Sequence, residues 1–280
     1  MTLARLDNEV FFKKAFTDEI VFKAFVKDII GIDFQPDKIE TEKAFQPKLG
    51  NINFKYDIFA EDIKKRIVIE IQKVEYDRTA NRHNFDRFLH YHLQAITEQQ
   101  RSSEDYSVEK TVYTIVVMTA PYKVNVKTRE FYRDEVLISK LNPKNLKGVE
   151  CKIFNHELIY LNPNYKDEST PQNYRDWLDL IYESIHNPNN PVVNIQNEGI
   201  KRVVELVSYE NIDPYEWEES KKEVGRRKVI TLEREEEREE TQIEIVKNAI
   251  LKNMNDQIIA DITGLTLDRI AEVRSNMTKP

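Results

Sequence analysis

Apolar positions Phe11, Phe12, Ala15, Phe16, Ile20, Phe22, Phe25, Val26, Ile29 and Ile30 recur mostly at three- and four-residue steps. That spacing predicts one helix over 8–31, with Gly31 as its stop. Residues 38–60 read as extended, 66–74 as a strand rich in Ile and Val, and 78–100 as a long helix. The run TVYTIVVMT at 111–119 is β-branched and apolar, which predicts a buried strand, and 149–161 predicts another. A helix over 171–186 ends at the breaker NPNNP. Beyond it, 196–224 reads as mainly helical around a turn at Asp213-Pro214, 229–254 as one charged helix, and 255–274 as two short helices around Gly264. Strands and helices mix in the first two thirds and the last third is helical. The predicted division is a mixed α/β domain over 1–190, a helical extension over 191–254 and a C-terminal hairpin over 255–280.

The segment INFKYDIFAEDIKKRIVIEIQKVE at 52–75 predicts a β-hairpin with its turn between Ile63 and Lys64. In that register Ile58 faces Ile69, Ala60 faces Ile67, Tyr56 faces Ile71 and Asp57 faces Glu70. Strict alternation puts Phe54, Tyr56, Ile58, Ala60, Ile67, Ile69 and Ile71 on one face, and Asp57, Phe59, Val68, Glu70 and Gln72 on the other. A single register therefore gathers the apolar side chains and also juxtaposes two acids. Opposed carboxylates repel by roughly a few kcal/mol at an effective dielectric of about 20. A cation, a shared proton or basic neighbours must offset this. Mg²⁺ suits an all-oxygen site of two carboxylates plus water and phosphate. The alternative is an ion pair with Lys55 or Lys65, or a slipped register in which the acids never meet.

Composition narrows the function classes. Hydrophobic residues make up 40% of the 280, enough for a core. No apolar run approaches a membrane span and the N-terminus lacks a signal-peptide core, so the expected location is the cytoplasm. A single cysteine, Cys151, excludes an intrachain disulfide and a multi-thiolate zinc site. The six glycines form neither a Walker A nor a dinucleotide-binding pattern. Net charge is −7, but 233–244 holds seven Glu against Arg234 and Arg238, so the rest of the chain is close to balanced and local basic faces remain open to it.

Asp57, a gap of 12 residues, then Glu70-Ile71-Gln72 resembles the D…ExQ signature of the Rpn-type recombination-promoting nuclease and transposase family within the PD-(D/E)XK superfamily. The segment from Glu9 to Phe16 resembles that family's opening D-x-x-F-K-x-x-F, with Glu in place of Asp, and Arg87-Phe-Leu-His-Tyr91 resembles its R-x-x-x-Y. The resemblance implies a restriction-endonuclease-like α/β fold, a mixed sheet flanked by helices, with an all-helical C-terminal extension. It implies metal-dependent cleavage of DNA phosphodiesters linked to recombination or mobile elements, leaving 5′-phosphates. Asp57, Glu70 and the carbonyl of Ile71 would ligate Mg²⁺, or Mn²⁺. Gln72 stands where the wider superfamily has Lys; an amide carries no charge and is no base, and alternation turns Lys73 to the other face. The base stays open between water on the ion and water oriented by Gln72. Glu9 reads either as a third carboxylate or as an acid favoured at a helix N-terminus.

Within 78–101, His83, Arg87, His90 and Tyr91 share one helical side, while Phe85, Phe88, Leu89 and Ile96 lie toward another that packs on the sheet. The basic side, with Arg78, Arg82 and Arg101 nearby, offers phosphate contacts or is a solvated face; the family match lifts Arg87 and Tyr91 to DNA-binding candidates. Tyr106 and Tyr113 read as packing residues, and all five histidines as non-ligands. In 256–275 the spacing of Ala260, Gly264 and Ile270 resembles a helix-turn-helix that presents Thr266, Asp268, Arg269, Glu272, Val273 and Arg274. A helical hairpin for packing or homo-oligomer formation fits as well, and Glu235–Arg238 pairs support the charged helix. The expected partner is DNA. The rivals are a noncatalytic DNA-binding or assembly module on the same fold, and a helical oligomerisation protein.

Overall fold

The structure, a computed structural model, describes residues 1–45, 54–72, 81–100, 107–122 and 133–277, without the side chains of 45, 54, 81–84, 230, 231, 234, 235 and 238. Readings on Phe54, Lys73, Arg78, Arg82, His83, Arg101, Tyr106 and the Glu235–Arg238 pair lie outside what is described. Two compact units divide the chain, Met1–Glu223 and Val224–Pro280.

Six strands form one mixed sheet: β1 (Lys38–Phe45), β2 (Phe54–Glu61), β3 (Lys65–Gln72), β4 (Thr111–Met118), β5 (Val136–Lys140) and β6 (Glu157–Leu161), in the order β1-β2-β3-β4-β6-β5. β3, β4 and β6 run parallel; the other pairings are antiparallel. Helices α1 (Glu9–Phe16), α2 (Glu19–Ile30), α4 (Gln172–His186) and α5 (Glu198–Val207) cover one face, and α3 (Asn81–Thr97) covers the other. β4 shows why the central strands are apolar throughout: Ile115 and Val117 enter the first layer, while Val112, Val116 and Met118 enter the layer under α3. The fold is the mixed α/β sheet expected, with helices after it.

The predicted helix over 8–31 is two helices. Asp18 caps α2 by accepting the N–H groups of Ile20 and Val21, and the Thr17 hydroxyl donates to the Lys13 carbonyl, so local side-chain bonds interrupt a continuous apolar pattern. The hairpin register is as predicted at Ile58↔Ile69 and Ala60↔Ile67. Its faces are not. Tyr56 packs with Phe59 and Val68 under α3, donating its hydroxyl to the Tyr91 carbonyl at 3.0 Å, whereas Ile58 and Ala60 lie in the opposite layer. The pleat slips between them. The β1–β2 ladder pairs Thr41 with Ile58 and Lys43 with Tyr56 but skips the step at Glu42 and Asp57, and Glu42 adopts φ +59°.

Of the strand predicted over 149–161 only β6 forms. Asn142 gathers the N–H groups of Ile153, Phe154 and Asn155 on its side-chain oxygen, holding the preceding stretch as a loop. The sheet-edge strand β5 escaped prediction. The charged helix starts earlier than expected: Pro214 opens α6 (Pro214–Leu251). The second unit packs the end of α6 with α7 (Asp256–Thr263) and α8 (Leu267–Met277) around Val246, Ala249, Ile259, Ile270 and Val273. Gly264 ends α7 at φ +71°. Val273 is thus a core residue rather than a presented one. Arg269 pairs with Glu239 and Glu272, and Arg274 with Asp256. No described helix is long and apolar enough to cross a membrane.

Candidate active site

Asp57 and Glu70 meet where the β2–β3 ladder ends, toward the C-terminal end of β3. They are joined through the backbone. The Glu70 Oε1 accepts the Asp57 N–H at 3.1 Å, and the Asp57 Oδ2 accepts the Ile71 N–H at 3.0 Å. Each carboxylate thereby takes over a strand-to-strand bond. The slip of the pleat at Asp57 makes this exchange feasible, and it leaves the second oxygen of each acid without a hydrogen bond among the described residues.

Electrostatics at this point are unfavourable for two anions. Glu70 is 1% exposed, and burial together with the Asp57 charge pushes its carboxyl well above the ordinary range. Burial also raises Asp57; the Ile71 hydrogen bond opposes that shift, Glu9 adds to it, and Lys13 and Arg87 oppose it. A site that holds two acids this way is short of positive charge.

Gln72 follows two residues later, and its Oε1 accepts from Arg87 Nη1 at 3.2 Å. A guanidinium has no acceptor, so this contact fixes which end of the amide faces Arg87 and leaves the amide NH₂ on the other side. Arg87 lies 4.9 Å from the Tyr91 ring centroid and 5.4 Å from that of Phe88. Tyr91 is half-buried, edge-on to Tyr56 at 5.7 Å and to Phe88 at 6.1 Å, and its ring lies beside the Arg87 guanidinium. Arg87 and His90 are exposed, and so is Leu89, which had been expected to pack on the sheet.

On the opposite layer, α1 brings Glu9 and Lys13 to the same acids. Asn8 caps α1, and the Glu9 N–H donates to Glu223. The Lys13 ammonium binds the Glu9 and Glu42 carboxylates and stands 3.9 Å from Asp57 Oδ1. Lys55, named as a partner for the paired acids, instead pairs with Glu42. Sequence reasoning gave Lys13 no role; the available signals were its i,i+4 relation to Glu9 and its place at the K of the D-x-x-F-K-x-x-F resemblance.

His92 and His156 are structural: His92 Nδ1 meets Thr114 Oγ1 at 2.9 Å, and His156 Nδ1 accepts the Val112 N–H at 2.9 Å. Among the described residues no three His, Cys, Asp or Glu side chains converge as a ligand set. The donor set at the hairpin is two carboxylates with the Ile71 carbonyl. Carbonyls alternate in direction along a strand, and that of Gln72 is taken by Thr119 beyond β4, so Ile71's is directed to the β2 side. An all-oxygen set with excess negative charge fits a hard divalent cation that retains water.

A family model described as PD-(D/E)XK nuclease family transposase matches residues 21–233, roughly three quarters of the chain. No curated protein and no solved structure gives a significant match.

Proposed function

The chain belongs to the PD-(D/E)XK nuclease family transposases, and from that premise we propose that the Asp57–Glu70 centre is a divalent-cation site at which DNA phosphodiester bonds are hydrolysed. The observation that carries the reading is the interlock of two acids across β2 and β3, Glu70 buried and Asp57 half-buried, each bonded to the other strand's amide. Nothing in strand pairing requires two such acids together, and like charges there destabilise the hairpin.

Asp57, Glu70 and the Ile71 carbonyl would hold the ion, Mg²⁺ or Mn²⁺. When bound, the ion neutralises charge on the phosphoryl oxygens and lowers the pKa of its water. The chain's own residues do the rest. The backbone bonds fix both carboxylates so that their remaining oxygens are pre-oriented. Gln72, whose side-chain oxygen accepts from Arg87, is neutral and supplies no base. Arg87, exposed and stacked over Tyr91, supplies a guanidinium suited to a DNA phosphate. Glu9 sits close enough to raise Asp57 and adds negative charge to the site.

Plasmid nicking with Mg²⁺ by the wild-type chain, Asp57→Ala and Glu70→Ala tests this. Nicking by the wild type alone supports it. Equal nicking by all three rejects the site, and DNA retention without divalent-dependent cleavage by the wild type supports the rival noncatalytic DNA-binding module.

A further inference from the structure

We propose that Lys13 is the residue that brings positive charge from α1 to the phosphate cleaved at the Asp57–Glu70 centre; the inference rests on the nuclease reading above. α1 buries Phe11, Phe12, Ala15 and Phe16 against the core, and this packing turns Lys13 toward β1 and β2. The Lys13 side chain is only 14% exposed. Its ammonium is clasped by Glu9 and Glu42 and lies 3.9 Å from Asp57 Oδ1. That oxygen is the one the Ile71 amide leaves available, because Ile71 bonds Oδ2.

Three observations raise this above charge neutralisation between a lysine and nearby acids. First, β3 contributes no charge of its own after Glu70, since Gln72 is neutral and its carbonyl oxygen is occupied by Arg87. Second, attack on a phosphodiester builds negative charge on the phosphoryl oxygens, and two carboxylates already cancel a divalent ion, so a further cation is required nearby. Third, a lysine held at two carboxylates has already lost the rotamer freedom that makes flexible lysines poor at positioning charge.

The placement has a two-sided consequence. An ammonium beside a ligand oxygen repels a divalent ion, so its removal tightens ion binding while it slows cleavage. A clasp that merely held Glu9, Glu42 and Asp57 in place would loosen ion binding when removed.

Calorimetric titration of the full chain with Mg²⁺, thermal melting, and single-turnover nicking at saturating Mg²⁺ separate the two, on Lys13→Met, Lys13→Arg, and Lys13→Met combined with Gln72→Lys. For Lys13→Met the expected result is tighter Mg²⁺ binding, by about threefold or more, and cleavage slower by about 10²-fold. Lys13→Arg keeps most of the rate, and Gln72→Lys restores part of the loss by returning the charge from β3. Wild-type cleavage by Lys13→Met overturns the proposal, as does weaker Mg²⁺ binding with a lower melting temperature. If Lys13→Met does not fold, Lys13→Gln, which retains hydrogen bonds to Glu9 and Glu42 without charge, gives the same contrast. Asp57→Ala is run alongside: full activity there rejects the nuclease reading itself, while an inactive Asp57→Ala with an active Lys13→Met rejects only the role of Lys13.

Discussion

The Glu70 carboxylate on β3 accepts the backbone N–H of Asp57 on β2, and the two residues therefore share both a hydrogen bond and a repulsion. The bond survives replacement of the carboxylate by an amide, and the repulsion does not. Glu70's folded-state pKa is raised above the ordinary 4.5, so the native state binds the proton more tightly than the unfolded chain does. Its contribution to stability is present below that ordinary value and is lost as pH rises through the raised one. At pH 7.5 in chelator, Glu70→Gln is expected to be more stable than wild type by about 1 kcal/mol or more, a gain of roughly 2–4 °C per kcal/mol. Adding Mg²⁺ should raise the wild-type melting temperature and leave the variant unmoved. A variant that melts lower than wild type in chelator contradicts this account.

The hairpin was legible because its two constraints agree: alternation of Ile58, Ala60, Ile67 and Ile69 and the meeting of the acids select one register. Tyr56 was misplaced because alternation assumes an unbroken pleat, and the pleat slips at Asp57, where Glu42 takes a left-handed conformation. The break at Thr17–Asp18 was hidden because apolar positions run through it, and the cap that imposes it is one side-chain oxygen on two amides. β5 is mostly exposed at the sheet edge and carries no buried alternation to read. Lys13 fell on the K of the D-x-x-F-K-x-x-F resemblance, but its surroundings were not legible. A lysine in an amphipathic helix reads as solvated until the packing of α1 shows what it faces.

In the proposed site Arg87 would act through planarity as well as charge. It donates to Gln72 and lies over Tyr91, and a lysine keeps the charge without the fork or the stacking face. Arg87→Lys is therefore expected to cleave at least about 10-fold more slowly than wild type, with Arg87→Ala slower still. Nicking rates at saturating Mg²⁺ check this. A rate for Arg87→Lys equal to wild type reduces Arg87 to a point charge.

Acid should destabilise the first unit through His92. Burial, with His156 nearby, lowers its pKa to about 4 from 6.5. The rings lie 6.4 Å apart, His92 Nδ1 meets Thr114, and His92 Nε2 has no hydrogen-bond partner among the described residues. Between these pH values the unfolded chain binds the extra proton and the native state does not. The stabilisation is complete above about 6.5 and is lost as pH falls toward 4. The loss amounts to roughly 3 kcal/mol at most. Denaturant titrations from pH 7 to 4.5 should show a shallower decline for His92→Gln than for wild type. Parallel declines in the two proteins count against it.

α2 and α5 cross at a point with no room for a side chain. A Cβ placed on Gly199 would lie 2.5 Å from the Ala24 Cβ and 3.1 Å from the Trp177 ring. Neither neighbour can yield freely, because the Trp177 indole N–H is tied to Asp28 at 2.7 Å and Ala24 sits on a helix whose cap, Asp18, is bonded to Arg202 of α5 at 2.9 Å. Gly199→Ala must push the helices apart, and overpacking of this kind costs about 1–3 kcal/mol. The melting temperature should fall by several degrees, with the Mg²⁺ dependence of the protein retained. Ala24→Gly removes the closest contact, so the double variant should recover much of the loss, whereas Ala24→Gly alone should be mildly destabilising through helix propensity. Purely additive effects of the two substitutions in melts of the single and double variants place the strain elsewhere than at this crossing.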